Sequence, residues 1–229
     1  MKALEENLLK IPTYQELRVN QVFPSKKNIV ALVSNKDNQY ILKWYQSCTT
    51  RALKQEIYIL QTAKNTLAVP NIISYDLNNN VVCMDYLTGT NLCDIINDET
   101  VSIHTKKEHI KSLAEWFSTF HQFFNNNQTY LIHGDAILRN FITSNKTLYG
   151  LDFEETKQGK PIEDISFLCA SILTTHPKNT DEKKELSDVF IETYETMMNV
   201  QYTNMQTFIN NAMKQMELRR HIQKKVNKK

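Results

Sequence analysis

The sequence predicts an α+β fold with a small antiparallel sheet near the N-terminus and a mainly helical C-terminal part. Three β-branched or aromatic segments, separated by turn-forming residues, lie between residues 16 and 45. Segments with apolar residues at helical spacing occupy 103–124, 182–198 and 203–225. A polar segment among them, residues 131–155, concentrates side chains that suit catalysis. These observations together predict a sheet-and-helix enzyme.

Length and composition are those of an ordinary globular protein. The 229 residues suffice for one sizeable core or for two small lobes. The net charge of +2 argues neither for nor against an acidic partner. We expect no signal peptide and no membrane span or membrane partner, because the first residues lack a long apolar core and no apolar run approaches about 18 residues. The cysteines show no CxxC spacing, which predicts buried thiols in a reducing cytoplasm: Cys48, Cys83, Cys93 and Cys169.

The N-terminal third predicts a short helix over residues 1–11 and then a three-stranded meander. The strands are predicted in LRVNQVF, NIVALVS and QYILKWY. The turn between the first two contains no glycine, yet its backbone amides and the hydroxyl of Ser25 could hold phosphate, helped by Lys26 or Lys27.

Two charged residues in this third lie among apolar neighbours. Lys43 is in the third predicted strand. Glu56 lies beside the apolar stripe of a predicted helix that begins near Thr49 or Thr50. By itself, the strand pattern favours an exposed, solvated position for Lys43. An apolar strand then runs from Val81 towards Leu87 and ends in a turn, so we predict two domains, residues 1–86 and 87–229.

The segment 131–155 combines two carboxylates and an amide at a spacing that suits phosphoryl transfer. Asp135 and Asn140 are five residues apart, so one short loop can direct both to the same site. The hairpin predicted in NFITS-NK-TLYGL would bring Asp152 beside that loop. Asp135 could accept a hydroxyl proton, while Asn140 and Asp152 could hold a divalent metal. A turn-forming Asp135 and a loop-capping Asn140 are the structural alternative.

The residues HGDAILRN, followed by LDFEE, resemble the catalytic loop and metal-binding motif of the protein-kinase-like phosphotransferases. Within that group they are most similar to the aminoglycoside phosphotransferases and choline kinases, which carry HGD-x4-N. The resemblance runs from about Val19 to Leu173. It implies the two-lobed protein-kinase-like fold, ATP and Mg²⁺ (or Mn²⁺) as cofactors, catalysis by Asp135, Asn140 and Asp152, and metal binding by Asn140 and Asp152.

The same resemblance implies a nucleotide site in the N-terminal domain. Lys43 would hold the α- and β-phosphates, and Glu56 would hold Lys43. Ser25 would lie in the loop that covers the phosphates. Main-chain groups near Asp85 to Leu87 would contact the adenine edge.

The resemblance also implies two supporting residues for the catalytic loop. His133 would hydrogen-bond the backbone and is not expected to act as a base. Asp164 would buttress the loop from the start of a helix predicted to begin at Ile165, after a short loop containing Gly159 and Pro161. Glu154 is an additional acid that could help to hold the metal.

Three hypotheses about function remain at this stage. The first is a kinase acting on a small-molecule hydroxyl. The second is a kinase with a protein or tRNA-associated acceptor, because the size and the basic C-terminal helix resemble RIO-type kinases and the small kinase of the KEOPS tRNA-modification complex; that helix could bind RNA or protein. The third is a nucleotide-binding pseudokinase, which the glycine-free phosphate loop favours.

Overall fold

The computed structural model describes residues 11–25, 27–36, 38–46, 50–126 and 129–226, with side chains up to Arg219. The chain divides into two compact units, one of residues 1–65 with 69–88 and the other of 66–68 with 89–229. The assignment of 1–86 to nucleotide covering and of 87–229 to catalysis stays a prediction. In the described part of the chain, no helix is both long and apolar enough to cross a membrane.

The first unit is a five-stranded antiparallel sheet with one helix. The predicted three-stranded meander is confirmed and forms one side of the sheet, whose order is β1-β2-β3-β5-β4. The strands are β1 (Arg18–Phe23), β2 (Asn28–Ser34), β3 (Gln39–Tyr45), β4 (Ile72–Asp76) and β5 (Val81–Asp85). Helix α1, Arg51–Ala63, buries one face with Leu53, Ile57 and Leu60, as its apolar spacing predicts.

The core of the first unit lies against β1–β3 and β5. A 3-10 turn, Pro12–Tyr14, precedes β1 and buries Tyr14 in this core together with Leu42 and Val81. The helix predicted over 1–11 lies outside the described residues except for its last position. Lys26, Cys48 and Thr49 also lie outside them. Thr50 occupies the N-cap position of α1 without a side-chain hydrogen bond.

The second unit combines six-residue to 22-residue helices with two small sheets. Its helices are α2 (Leu92–Asn97), α3 (Ile103–Phe123), α4 (Pro161–Thr174), α5 (Asp181–Met198) and α6 (Met205–Val226). Its strands are β6 (Thr90–Asn91), β7 (Tyr130–Ile132), β8 (Phe141–Ser144), β9 (Thr147–Gly150) and β10 (Lys157–Gly159). The sheets have the orders β6-β8-β9 and β10-β7. The predicted helices over 103–124, 182–198 and 203–225 and the β8–β9 hairpin are therefore confirmed.

Two local predictions in this unit were wrong. Helix α4 begins at Pro161, not at Ile165, because proline suits the first helical turn and the side chain of Glu163 accepts a hydrogen bond from the backbone N–H of Lys160. The supposed loop at Gly159 is the end of strand β10, which pairs with β7. A Cβ atom at Gly159 would lie 2.5 Å from the Ile132 side chain, so glycine permits this close pairing.

Candidate active site

In the first unit, Lys43 and Glu56 form a buried ion pair. Lys43 lies in β3 opposite Val30 of β2 and Val82 of β5, and is only 6% exposed. Its Nζ lies 2.7 Å from Oε2 of Glu56, which α1 presents at 2% exposure. A buried lysine needs such a partner, because an isolated charge in an apolar environment costs several kcal/mol. Lys43 is therefore a buried, ion-paired residue and not an exposed strand residue.

Tyr45 is a third member of this cluster that the sequence analysis missed. Its hydroxyl donates to the same Oε2 of Glu56, and its ring centroid lies 5.0 Å from Nζ of Lys43. Tyr45 follows Lys43 by two positions, so both side chains lie on the same face of β3. That spacing is the signal that could have identified it.

The other predicted nucleotide contacts of the first unit are less constrained. Ser25 is exposed, and its hydroxyl accepts a 3.4 Å hydrogen bond from the N–H of Asn28 within the β1–β2 turn. The carboxylate of Asp85 accepts from the Asn71 side chain at 2.6 Å, and the Asp85 N–H donates to the Asn71 carbonyl. Leu87 lies in the irregular residues that follow β5. The structure therefore assigns Asp85 a local structural contact.

In the second unit, the loop from His133 to Asn140 is held from beneath by Asp164 of α4. One oxygen of this buried carboxylate accepts the His133 N–H at 2.6 Å, and the other accepts the Gly134 N–H at 3.0 Å. Gly134 has φ +79°, and a Cβ atom there would lie 2.3 Å from the Glu155 carbonyl oxygen. Only glycine fits this position, which explains the residue before Asp135.

A buried chain of side chains extends from Asp164 into the helices. His121 of α3 lies with Nε2 3.1 Å from Asp164 and with Nδ1 2.8 Å from the hydroxyl of Tyr194 in α5. His121 is fully buried. Burial raises the pKa of Tyr194 above its ordinary value, so this hydroxyl stays neutral. The chain ties α3, α4 and α5 to the base of the loop.

Asp135 and Asn140 lie together, as their spacing predicts. The amide nitrogen of Asn140 donates to the main-chain oxygen of Asp135 at 2.8 Å and approaches its carboxylate at 3.2 Å. With the nitrogen so engaged, the amide oxygen is the atom of Asn140 suited to a metal ion. Both side chains are partly exposed, so a ligand could reach them.

Asp152 is positioned through its neighbour Leu151. The N–H of Leu151 donates to the carbonyl of Asn140 at 2.9 Å, and His133 Nε2 donates to the Leu151 carbonyl at 3.0 Å. Asp152 itself has φ +62°, a left-handed conformation that is rare for a residue with a side chain and that concentrates at functional sites. The hairpin and His133 thereby fix the backbone position from which the Asp152 side chain extends.

The oxygen atoms of this segment fit a hard divalent cation. Carboxylate oxygens of Asp152 and Glu154 lie within 4.8 Å of each other. Together with the Asn140 amide oxygen they offer the donor type that Mg²⁺ and Mn²⁺ prefer.

Arg219 is a second residue that the sequence analysis did not single out. Its Nη1 lies 3.4 Å from Oδ1 of Asp135, and its guanidinium carbon lies 5.2 Å from the ring centroid of Phe167 in α4. It belongs to the basic C-terminal run, whose later side chains lie outside the described residues. Charge alone did not distinguish it from the neighbouring cations.

The described cysteines are buried and free, as predicted: Cys83, Cys93 and Cys169. Burial raises the pKa of Cys83 to about 12 and that of Cys169 to about 12, so both stay neutral thiols.

Comparisons with known proteins give distant relatives of two kinds. No protein-family model matches the chain. Among curated proteins, it is similar to the probable bifunctional tRNA threonylcarbamoyladenosine biosynthesis protein of Methanococcus vannielii, with 28% identity over 150 residues, which is 64% of this chain and 24% of that protein. It is also similar to the EKC/KEOPS complex subunit BUD32 of Enterocytozoon bieneusi, with 27% identity over 132 residues, which is 54% of this chain and 63% of that protein. The chain thus spans less than two thirds of either relative.

Several solved structures that share the fold of this chain are named as small-molecule kinases or phosphotransferases. Macrolide 2′-phosphotransferase MphH from Brachybacterium faecium has a TM-score of 0.64 at 12% identity, covering 92% of this chain and 88% of the other. Plasmodium vivax ethanolamine kinase has a TM-score of 0.62 at 14% identity, covering 92% and 76%. LicA in complex with AMP has a TM-score of 0.62 at 17% identity, covering 93% and 86%. Likeness at this identity concerns the fold, and the fold of this chain is that of the protein-kinase-like phosphotransferases.

Proposed function

We propose that this protein is an ATP-dependent phosphotransferase that moves the γ-phosphoryl group to a hydroxyl acceptor. Asp135 orients the acceptor hydroxyl and takes its proton. The observation that carries the proposal is the joint placement of Asp135 and Asn140, 3.2 Å apart between amide nitrogen and carboxylate, on a loop that Asp164 holds by two backbone N–H groups. Phosphoryl transfer depends mainly on positioning and charge neutralisation, which this rigid loop serves.

Asn140 and Asp152 would hold Mg²⁺ or Mn²⁺, with Glu154 as a further acid. When bound, the metal supplies positive charge that neutralises the phosphate oxygens. The chain's own contribution is to aim these oxygen atoms: Asn140 through its bond to Asp135, and Asp152 through the two hydrogen bonds of Leu151. The structures of related fold that bind AMP, or ATP with streptomycin, support a nucleotide as the donor.

In the first unit, Lys43 would contact the α- and β-phosphates. Glu56 and Tyr45 keep its ammonium oriented, because the Lys43 ammonium and the Tyr45 hydroxyl both donate to the same buried oxygen of Glu56. Ser25 and main-chain groups from Asp85 to Leu87 are the remaining proposed nucleotide contacts. Since the Asp85 N–H is engaged by Asn71, the adenine edge would have to meet other main-chain groups of this segment.

A small-molecule hydroxyl is the acceptor that the structural relatives support, since macrolide, choline and ethanolamine kinases share the fold. The sequence relatives support a second candidate, a kinase of tRNA modification, since one is named as a tRNA biosynthesis protein and the other as a KEOPS subunit. The basic C-terminal helix favours this second candidate, with RNA or protein as partner. Reduced, buried thiols are in keeping with a cytoplasmic protein.

The test is Mg²⁺-dependent transfer of labelled phosphate from ATP to three pools: metabolites, tRNA and protein extract. Wild type is compared with Asp135→Ala and Asp152→Ala. We expect one pool to be labelled, and both variants to lose labelling. Asp135→Ala should keep ATP binding, whereas Asp152→Ala should lose metal-dependent binding. ATP binding without transfer to any pool, or to water, would make the protein a pseudokinase, and absence of ATP binding would refute the proposal.

A further inference from the structure

Helix α6 is docked beside the catalytic loop by an apolar contact. Met216 is buried against Ala170 of α4, and its sulfur accepts a 3.8 Å contact from the hydroxyl of Thr174. Ile137, which lies between Asp135 and Asn140 in the loop, packs on the same cluster with Met213. The loop and this part of α6 therefore share one apolar contact, which fixes the helix next to the predicted site.

Arg219 lies one turn after Met216 on the same side of α6. The guanidinium stacks at 5.2 Å over the ring of Phe167, which borders the same apolar cluster. Its Nη1 is 3.4 Å from Asp135 Oδ1. Its position is set by the docking of α6 and by the ring beneath it, so the arginine is held at the catalytic carboxylate while its side chain remains 54% exposed.

One nitrogen of the guanidinium meets Asp135, and four N–H groups are left over. Arginine carries five donors in a planar fork that matches two anions at once. Among residues 11–219 that the structure describes with side chains, these remaining groups have no protein partner. They are oriented beside the carboxylate and open to solvent, so a second anion at this place would find donors already arranged.

We propose that Arg219 donates hydrogen bonds to the phosphoryl group during its transfer, and is a catalytic residue supplied by the C-terminal helix. The inference rests on the proposed function. An acceptor oxygen held by Asp135 lies about 2.6–3.2 Å from the carboxylate. The phosphorus that it attacks lies about 3–3.5 Å further on. The phosphoryl oxygens then come within reach of a guanidinium that is itself anchored on Asp135.

The step balances without any further reactant. The acceptor O–H bond breaks and its proton passes to the Asp135 carboxylate, while the acceptor oxygen forms a bond to the γ-phosphorus. The bond from that phosphorus to the β–γ bridging oxygen breaks, and its electron pair leaves with ADP. Arg219 stays protonated throughout and stabilises the charge on the equatorial phosphoryl oxygens, a role for which arginine is well suited in phosphoryl transfer.

Two other roles for the Arg219–Asp135 contact make different kinetic predictions. If Arg219 instead blocked Asp135 as an inhibitory latch, its removal would raise the rate. If it bound only the acceptor, its removal would raise KM for the acceptor and leave kcat unchanged. A decrease in kcat therefore supports the proposal, whereas an increase indicates a latch and an unchanged kcat indicates acceptor binding.

The experiment measures Mg²⁺-dependent phosphate release from ATP, with water as acceptor, for full-length wild type, Arg219→Ala and Arg219→Gln. Lys214→Ala, which removes an exposed cation from the same helix, is the matched control. Affinity for ATP is measured separately by calorimetry, and folding by thermal unfolding. Because the Arg219–Asp135 pair is exposed, its loss should leave the unfolding temperature nearly unchanged.

We expect both Arg219 variants to lose at least about 100-fold in kcat with ATP affinity within about threefold of wild type, and Lys214→Ala to match wild type. An increase in kcat, or a kcat equal to wild type, would overturn the role of Arg219 and leave the proposed function standing. A wild-type protein that binds ATP but neither releases phosphate to water nor labels any of the three acceptor pools would overturn both. Loss of ATP affinity together with kcat would also overturn it, since Arg219 would then bind nucleotide in the ground state.

Discussion

Two buried carboxylates, one in each unit, differ in the kind of group that they bind: one binds side chains and the other mainly backbone N–H groups. Glu56 in the first unit contacts the ammonium of Lys43 and the hydroxyl of Tyr45. Asp164 in the second unit accepts two backbone N–H groups and contacts His121. The partners of Glu56 can be changed by mutation, whereas the backbone partners of Asp164 remain whatever the sequence. The first carboxylate therefore orients a cation, and the second determines the course of a loop.

The largest effect is expected from Asp164→Ala. The change leaves the N–H groups of His133 and Gly134 buried without an acceptor, so we expect a loss of about 3–5 kcal/mol in the free energy of unfolding. Urea unfolding measures it, with the exposed Asp188→Ala as control. Asp164→Asn, which keeps one acceptor oxygen, should lose about half as much. A loss below about 1 kcal/mol for Asp164→Ala would contradict the loop-holding role.

The next largest effect is expected at Lys43 in the first unit, where two variants can distinguish a loss of stability from a loss of ATP binding. Lys43→Met leaves Glu56 buried with an incomplete set of partners, and we expect a loss of about 3 kcal/mol. The triple variant Lys43→Met, Tyr45→Phe, Glu56→Leu removes the ammonium, the hydroxyl and the carboxylate of these three residues together, and should recover most of that stability. Both variants should bind ATP more weakly than wild type. A triple variant as unstable as Lys43→Met would show that this cluster, like Asp164, is required by the fold.

A smaller effect is expected at the outer end of the Asp164 chain. Tyr194→Phe removes the hydroxyl that contacts His121 and leaves Nδ1 of that buried ring without its partner, so we expect a loss of about 1–2 kcal/mol. Urea unfolding is compared with Tyr75→Phe, an exposed tyrosine of β4. Equal stability of the two variants would mean that the chain of contacts ends at His121.

The smallest effect is expected from two buried thiols, one in each unit, and concerns stability at alkaline pH. Cys83 and Cys169 have pKa values raised to about 12 in the folded protein, against an ordinary value near 9.0. Between these values the unfolded thiol has lost its proton and the folded one keeps it. Stability is therefore complete below pH 9 and falls as pH rises from there towards 12. At pH 10 each thiol should account for about 1 kcal/mol of the loss.

The check is urea unfolding at pH 8 and pH 10 for wild type, Cys83→Ala and Cys169→Ala. Each variant should lose less stability between the two pH values than wild type, by similar amounts. Lys183 works in the opposite direction, because burial lowers its pKa to about 8 and its unfolded form binds the extra proton. Since Lys183 is present in all three proteins, the comparison cancels it. Unequal effects of the two cysteines would show that the units differ in alkaline stability.

The candidate site could be predicted from the sequence because its members are close along the chain. The five-residue spacing of Asp135 and Asn140, and the hairpin that returns the chain to Asp152, are local patterns that a short loop and two strands impose. Gly134 is required by a positive φ, which is also a local property. The buried pairing of Lys43 with Glu56 was predictable only through the family resemblance, because the residues alone favoured an exposed position for Lys43.

Periodicity by itself determined the order of strands and helices in this protein, since burying one face of each element demands it. Periodicity did not predict the helix start at Pro161 or the short strand Lys157–Gly159. One capping hydrogen bond or three paired residues leave too short a pattern in the sequence. The tertiary structure alone decided the contacts made across long chain distances: Tyr194 with His121, and Arg219 with Asp135, 84 residues away. Such pairs depend on how helices dock, and docking is set by many weak apolar contacts that no single residue reveals.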